Sequence, residues 1–300
     1  MTTLKENTSI ANEINDCLPN YHPLTYLPNF DFTDFRTTDN IITNHLATSK
    51  LSDLILMNYF PQNPISEYHH FTDIVAFKNI LTTGKIWLFS VKKRFSENEF
   101  KPFYTAHKMD GYELRKNSAG VALENDLVEN AFYTSFTNDQ LSKKAEEYMW
   151  SYFAKTTGVR MVFEIKNVNT DLRKIYYPPT SSNVDIPLLT KLISIAKTRN
   201  KYLIISRIAT IGFFYLPHCF KIEQEYRLLI KKEKGQYFNL RFGENGGFEY
   251  LELPFDTPNP FAHLKLKKII FDTNTDIKEA EKIIKSNSRF ENIVTEKNNR

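Results

Sequence analysis

Residues 68–90 read YHHFTDIVAFKNILTTGKIWLFS, and the hydrophobic period changes twice along them. YHHFT is a short run of strand-favouring residues. In DIVAFKNILTTG, Ile74, Phe77, Ile80 and Leu81 recur at the spacing of one helical face. Thr72 or Asp73 can cap the start, and Gly84 can end the helix. KIWLFS returns to strand character, so strand, helix and strand open the body of the chain.

Further on, AFYTSFT (131–137) reads as a strand, after which Asn138 or Asp139 is placed to cap a helix running to about Thr156. Leu141, Ala145, Tyr148, Met149, Tyr152 and Phe153 form its apolar stripe. Trp150 lies about 180° from Leu141 at 100° per residue and is expected to point away from that stripe. GVRMVFEI (158–165) is a strand, 187–215 is mostly helical, and IEQEYRLLI (222–230) is a strand. QYFNLRF (236–242) and FEYLELPF (248–255) form a hairpin across GENGG. KKIIFD (267–272) is a strand, and Ile277, Ala280, Ile283 and Ile284 mark the core face of a helix from Asp276 to Ser286. Strands and helices mix without the regular alternation of a doubly wound sheet, so the expected class is α+β.

Upstream, residues 1 to about 55 are rich in Asn, Thr and Pro, as in NYHPLTYLPNFDFTDF (20–35), with a helix expected near Asn44 to Tyr59. We expect an N-terminal extension, residues 1–60, that packs on the body or docks a regulatory partner. The body, residues 61–300, is expected to bind its ligand without it. Residues 1–60 hold three basic side chains (Lys5, Arg36 and Lys50) against seven acidic ones, a net of −4, so the rest carries +8 within a total of +4. A basic body favours an anionic ligand, a dinucleotide or a nucleic acid, although charged faces are commonly just solvated.

At 300 residues, with 41% hydrophobic and 25% charged, the chain can bury one sizeable core. Cys17 and Cys219 form no C-x-x-C pair, which offers neither a disulfide framework nor a thiolate zinc site and suits a reducing compartment. The opening MTTLKENTSIANEIND lacks the apolar core of a secretory signal. The longest apolar stretch, Tyr202–Leu216, is cut by Ser206 and Arg207 and is too short to span a bilayer. The expectation is a cytoplasmic protein, or one delivered into a target cytoplasm, with no membrane partner.

Glu223, Glu225 and Arg227 alternate within one strand-like run, so a pleated strand projects all three from one face. Two carboxylates ending at an Arg suit acid–base work or electrostatic stabilisation of a sugar cation; a solvent-facing charged edge has the same spacing. His69 and His70 point to opposite faces of their strand, so at most one enters a given cleft, where it can hold a ribose hydroxyl. Neither has a second His at i+4, so no metal site is expected. Trp150 suits stacking on a ligand ring or a second packing layer, and Ser135 either a ligand contact or a satisfied backbone group. G-x-G-x-x-G before a helix, G-x-x-x-x-G-K-[ST] and G-x-S-x-G are absent, which removes the Rossmann, P-loop and nucleophile-elbow readings.

Three segments in this order resemble a bacterial family long catalogued as a domain of unknown function and grouped with ADP-ribosyltransferases. They are HHFT with its helix and KIWLFS; AFYTSFT with the helix ending MWSYFAKTTGVRMVFE; and PHCFKIEQEYRLLI. The likeness covers residues 65 to 285. It implies an ADP-ribosyltransferase-like split β-sheet core with flanking helices, NAD as substrate and no metal. By position, His70 resembles the first-strand His that holds the adenosine-side ribose. Ser135 and Trp150 resemble the middle elements that hold nicotinamide. Glu225 resembles the catalytic Glu at the nicotinamide ribose, and Glu223 completes a Glu-x-Glu pair that orients or deprotonates the acceptor. Thr72 and Arg227 join His70, Ser135 and Trp150 as expected cofactor-binding positions. The sequence departs from the family after the second strand, where RFSENEFKPF (94–103) replaces the usual Asn-Asp-Pro-Phe-Glu run and leaves the loop near Phe95 and Asn98 unassigned. The implied activity is transfer of ADP-ribose to a macromolecule, a nucleic acid such as RNA ahead of a protein, in a toxin, effector or phage-defence setting. An NAD glycohydrolase and a catalytically silent NAD- or nucleic-acid-binding module are the alternatives.

Overall fold

The computed structural model describes residues 2–21, 24–44, 49–62, 65–92, 99, 101–109, 130–167, 170–179, 186–231, 242–245, 248–257, 259–290 and 292–298. In chain order its elements are α1 (Thr2–Cys17), β1 (Phe35–Thr37), β2 (Ile41–Asn44), α2 (Lys50–Tyr59), β3 (Tyr68–Thr72), α3 (Ile74–Thr83), β4 (Lys85–Ser90), α4 (Lys101–Ala106), β5 (Ala131–Phe136) and α5 (Lys143–Tyr152). They continue with β6 (Val159–Asn167), β7 (Asp171–Lys174), α6 (Pro187–Lys197), β8 (Tyr202–Ile204), α7 (Ile208–Phe213), β9 (Tyr226–Lys231) and β10 (Phe242–Asn245). The last are β11 (Phe248–Pro254), β12 (Ala262–Phe271), α8 (Ile277–Lys285) and β13 (Val294–Lys297). The class is mixed α+β, and the chain divides into two compact units.

The first unit gathers residues 1–62, 98–127 and 176–218. Its sheet has the order β1-β2-β8, with β2 and β8 parallel. One face of α1 is buried through Ile10, Ala11, Ile14 and Cys17. From the other, Glu13 reaches Arg199 at 2.9 Å and Lys191 at 3.6 Å, while Glu6 reaches Lys201 at 3.4 Å. The acidic N-terminal stretch and part of the basic remainder therefore neutralise each other within one unit. Residues 1–62 supply the core of this unit together with two later segments, where the sequence suggested an appended extension. The helix expected near Asn44 starts later, at Lys50. Asn44 ends β2, its side chain bonded to Ser206 Oγ at 3.0 Å and to the Ser206 amide at 2.7 Å. The stretch expected to be mostly helical breaks into α6, β8 and α7, with Asn200 (φ 55°) and Arg207 (φ 62°) in the left-handed region that interrupts a helix.

The second unit gathers residues 63–97, 128–175 and 219–300. A six-stranded antiparallel sheet runs β10-β11-β4-β5-β9-β7, and a four-stranded sheet runs β13-β12-β6-β3. α3 begins as its sequence predicts: Asp73 Oδ1 accepts from the Ala76 amide at 2.9 Å, and Gly84 at φ 65° ends it. Phe77 and Leu81 of α3 and Ala280, Ile283 and Ile284 of α8 share one core with the inward residues of both sheets, among them Ile86, Leu88, Phe132, Phe163 and Leu228. The hairpin forms as β10 and β11, but GEN of GENGG belongs to the strand, since Asn245 pairs with Phe248. Residues 236–241 of the expected first arm lie outside the described residues.

The two sheets of this unit are joined at an isolated antiparallel bridge. The His69 amide donates to the Thr137 carbonyl at 2.8 Å, and the Thr137 amide returns the bond at 2.9 Å. On the outer face of the four-stranded sheet, Phe71, Val162 and Ile270 are covered by Met149, Trp150 and Ala154. The helix carrying Met149 and Trp150, α5, is capped by Ser142, whose Oγ accepts from the Ala145 amide at 3.3 Å, and so starts after Asn138 and Asp139. Gly158 sits where a Cβ would come within 2.1 Å of the Thr72 carbonyl oxygen and 2.6 Å of the Ala154 carbonyl oxygen, so only glycine fits between strand and helix.

Deleting residues 1–60 removes α1 and α2 from the first unit, including Leu51, Leu54, Ile55 and Leu56, all fully buried. We predict that a chain starting at Pro61 loses the cooperative unfolding of that unit. Hydrogen exchange over 186–218 reads this directly; native-like protection there would refute it.

Candidate active site

The site centres on Glu225, which ends an irregular turn immediately before β9. His218–Glu223 form a 3₁₀ turn, and Gln224 adopts φ 45°, so the pleat begins only at Tyr226. Left-handed geometry at Gln224 breaks the two-residue alternation, and Glu223 does not share a strand face with Glu225 as the sequence suggested. Glu225 is 4% exposed and Arg227 2%. Arg227 Nε donates to Glu225 Oε1 at 2.8 Å and Nη2 to Oε2 at 3.2 Å, a forked contact that fixes the carboxylate plane. Ser135 Oγ donates to Oε1 as well. The β5–β9 register explains this meeting: Ser135 stands opposite Arg227, so both project from one face. Tyr133, two residues earlier on that face, lies under the Arg227 guanidinium at 5.5 Å.

His70 joins from the other sheet. Its Nδ1 donates to the Ser135 carbonyl at 3.0 Å, and its ring lies 5.8 Å from that of Phe136. Burial pushes the imidazole pKa down, opposed by the bond to Ser135, so the ring is neutral near pH 7. With its proton on Nδ1, Nε2 is left as an acceptor, the character needed toward a sugar hydroxyl. The structure thus brings His70, Ser135, Glu225 and Arg227 together across three strands and the junction of two sheets.

Other expected positions fall elsewhere. Trp150 is fully buried, packed edge-on against Phe71 at 5.0 Å, with the Arg160 guanidinium 5.7 Å from its ring. Phe71 and His70 are consecutive on β3 and point to opposite faces, so Trp150 lies across the sheet from the site; its indole is a packing residue, not a ligand platform. Tyr152, expected on the buried stripe, is 67% exposed. Thr72 is buried at the end of β3, one strand repeat from His70. Glu223 Oε1 accepts from the Tyr148 hydroxyl at 3.3 Å, a contact that sequence spacing does not show. Phe95 and Asn98 lie outside the described residues. The site also carries a group that sequence reading missed: Arg173 on β7 stands opposite Arg227 and is held by Asp171 at 3.0 and 3.1 Å. Its signal was the Asp-x-Arg spacing of DLRK, which places both side chains on one strand face.

His69, on the face opposite His70, is buried, and neither ring nitrogen has a hydrogen-bond partner among the described residues. Burial, followed by the nearby Arg160 charge, pushes its pKa down to about 4. Lys268 acts the same way, and Asp139 opposes them. Glu67 lies 3.8 Å from Nε2.

Among the described residues, no group of three or more His, Cys, Asp or Glu is arranged to hold a metal ion, and no helix is long and apolar enough to cross a membrane. No protein-family model matches the chain, and no curated protein or solved structure matches it.

Two stability predictions follow from these placements. Trp150→Ala should cost about 3–5 kcal/mol of unfolding free energy, as for other buried aromatics; a cost under about 1 kcal/mol in urea titration would contradict its core position. His69 has a folded pKa of about 4 against 6.5 for the unfolded chain, so between these values the unfolded chain takes up the proton first and stability falls as pH falls. Replacing His69 with Phe should remove about 2 kcal/mol of the stability loss between pH 7 and 4.5. An unchanged pH slope in the variant would show that the imidazole is not held neutral.

Proposed function

We propose that this protein is an NAD-dependent ADP-ribosyltransferase, acting at the Glu225 site. The observation that carries the reading is the convergence of His70, Ser135 and Glu225, from three separate stretches of sequence, at the junction of two sheets. These are the residues, in the same chain order, that the resemblance assigns to the two ribose ends and the nicotinamide of NAD.

The residues fit that substrate chemically. When the bond between nicotinamide nitrogen and ribose C1′ breaks, the electron pair leaves with nicotinamide, which departs neutral, and positive charge develops on the ribose. A carboxylate fixed beforehand by Arg227 and Ser135 needs no reorganisation to stabilise that charge. Ser135 is held at both its carbonyl and its hydroxyl, so the strand segment at the reacting centre is rigid. Neutral His70 can accept from the hydroxyl of the distal ribose. The acceptor's nucleophilic atom then bonds to C1′ and releases its proton, for which Glu223 is the nearest carboxylate along the chain. Glu223 points to Tyr148 and not along the strand face of Glu225, which separates acceptor handling from bond cleavage.

Glu225→Gln keeps size and removes charge, and we expect nicotinamide release from NAD to fall by a factor of about 10² to 10³. Ser135→Ala, which leaves the Arg227–Glu225 pair in place, should reduce release more modestly. Chromatographic assay of nicotinamide, alongside thermal unfolding of each variant, provides the test. Release by folded Glu225→Gln at the wild-type rate would remove the assignment.

A further inference from the structure

The strongest feature not used by NAD cleavage is an open aromatic stack on α5. Tyr148 and Tyr152, one helical turn apart, lie with ring planes 7° from parallel and centroids 5.5 Å apart, an offset stack. Phe153 buttresses both edge-on, at 6.2 and 5.0 Å. The inner, partly buried ring of the stack, Tyr148, is tied by its hydroxyl to Glu223, and the outer ring, Tyr152, is 67% exposed. An exposed flat ring braced from behind is a surface on which another planar ring can stack without ordering any further side chain.

The charges around it favour a polyanion. Lys144 lies one turn before Tyr148 on the same stripe of α5, and Lys221 lies two residues before Glu223. Both are exposed, and neither meets an acidic partner among the described residues. Lys155, just beyond the helix, is 68% exposed at its side chain while touching Asp73. Glu147 is the opposing exposed charge on this helix.

We infer that the Tyr148–Tyr152 stack, with Lys144 on its own helical stripe and Lys221 on the turn that carries Glu223, seats an unpaired base of a single-stranded nucleic acid. The strand then runs past Glu223, where a neighbouring nucleotide is the acceptor. Base stacking supplies the contact, and the lysines follow the phosphate backbone. A duplex, whose bases are already stacked, lacks a free ring face for Tyr152. Tyr148 is a positioning residue: burial and the Glu223 charge push its hydroxyl up to about 12, so it stays a donor and holds the carboxylate that receives the acceptor proton. The acceptor role rests on the ADP-ribosyltransferase reading; the binding role does not.

The full chain, without NAD, should bind fluorescent single-stranded oligo(U) and oligo(dT) more tightly than a blunt duplex of equal length, as read by anisotropy. Tyr152→Ala should weaken single-strand binding roughly 5- to 100-fold, and Tyr152→Phe should restore it. Lys144→Ala with Lys221→Ala should flatten its salt dependence. With NAD added, Tyr148→Phe should lower labelling of bound oligonucleotide more than it lowers nicotinamide release. Tyr152→Ala binding as tightly as wild type, preference for duplex, or label passing only to protein would each overturn the inference. Tyr152-dependent binding with no nicotinamide release would instead sink the transferase reading and leave the nucleic-acid surface standing. The RNA and DNA arms identify which strand is preferred.

Discussion

The reciprocal backbone bonds between His69 and Thr137 are the constraint on which the candidate site rests. They fasten β3, the edge of one sheet, to the residue after β5 in the other. His70 follows His69 and Ser135 precedes Thr137 by two, so the imidazole arrives beside the Ser135 carbonyl as a consequence of register. The β5–β9 ladder then sets Ser135 opposite Arg227, and the guanidinium holds Glu225. A slip of one residue at either pairing would turn the side chains of the slipped strand to the opposite face and separate it from its partners here.

Much of this frame was legible in the sequence. YHHFT, KIWLFS, AFYTSFT and GVRMVFEI are strands because their β-branched and aromatic residues suit a pleated surface, and α3 and α8 follow apolar spacings bounded by Asp caps. What failed did so where local pattern competes with tertiary contact. Trp150 was read from helical angle alone, but it joins Met149 of that stripe in one cluster against Phe71, Val162 and Ile270. The Glu223–Glu225 alternation assumed an unbroken strand, and nothing in IEQEY signals the left-handed Gln224. The two-unit division was hidden for another reason: each unit is assembled from segments far apart in the chain, and period and composition carry no information about that pairing.

The Glu225–Arg227 pair is almost wholly shut off from water. Two charges this deeply buried recover little net stability over a well-packed apolar pair, because desolvation offsets their attraction. Truncating either leaves the other charge buried without its principal counter-ion, so the pair is costly to break while adding little to the fold. Its direct product is orientation, a carboxylate whose plane is set by a fork and whose edge is held by a serine hydroxyl.

The assembly of the first unit from segments far apart in the chain also bears on how the chain is made. α1 buries its apolar face in the same unit as α6, and Glu13 meets Lys191 and Arg199. Those partners emerge from the ribosome about 180 residues after Glu13, on the order of 10–40 s later at synthesis rates of roughly 5–20 residues per second. During that interval α1 can already meet residues 18–37, with Asn7 bonded to Phe35 and Thr37 and Asn15 to Phe30, but it lacks the cover that α6 supplies. Closing so long a loop adds only slowly growing entropy, so the delay is kinetic. The N-terminal helix and its local partners can therefore form early, while completion of the first unit waits until α6 has emerged.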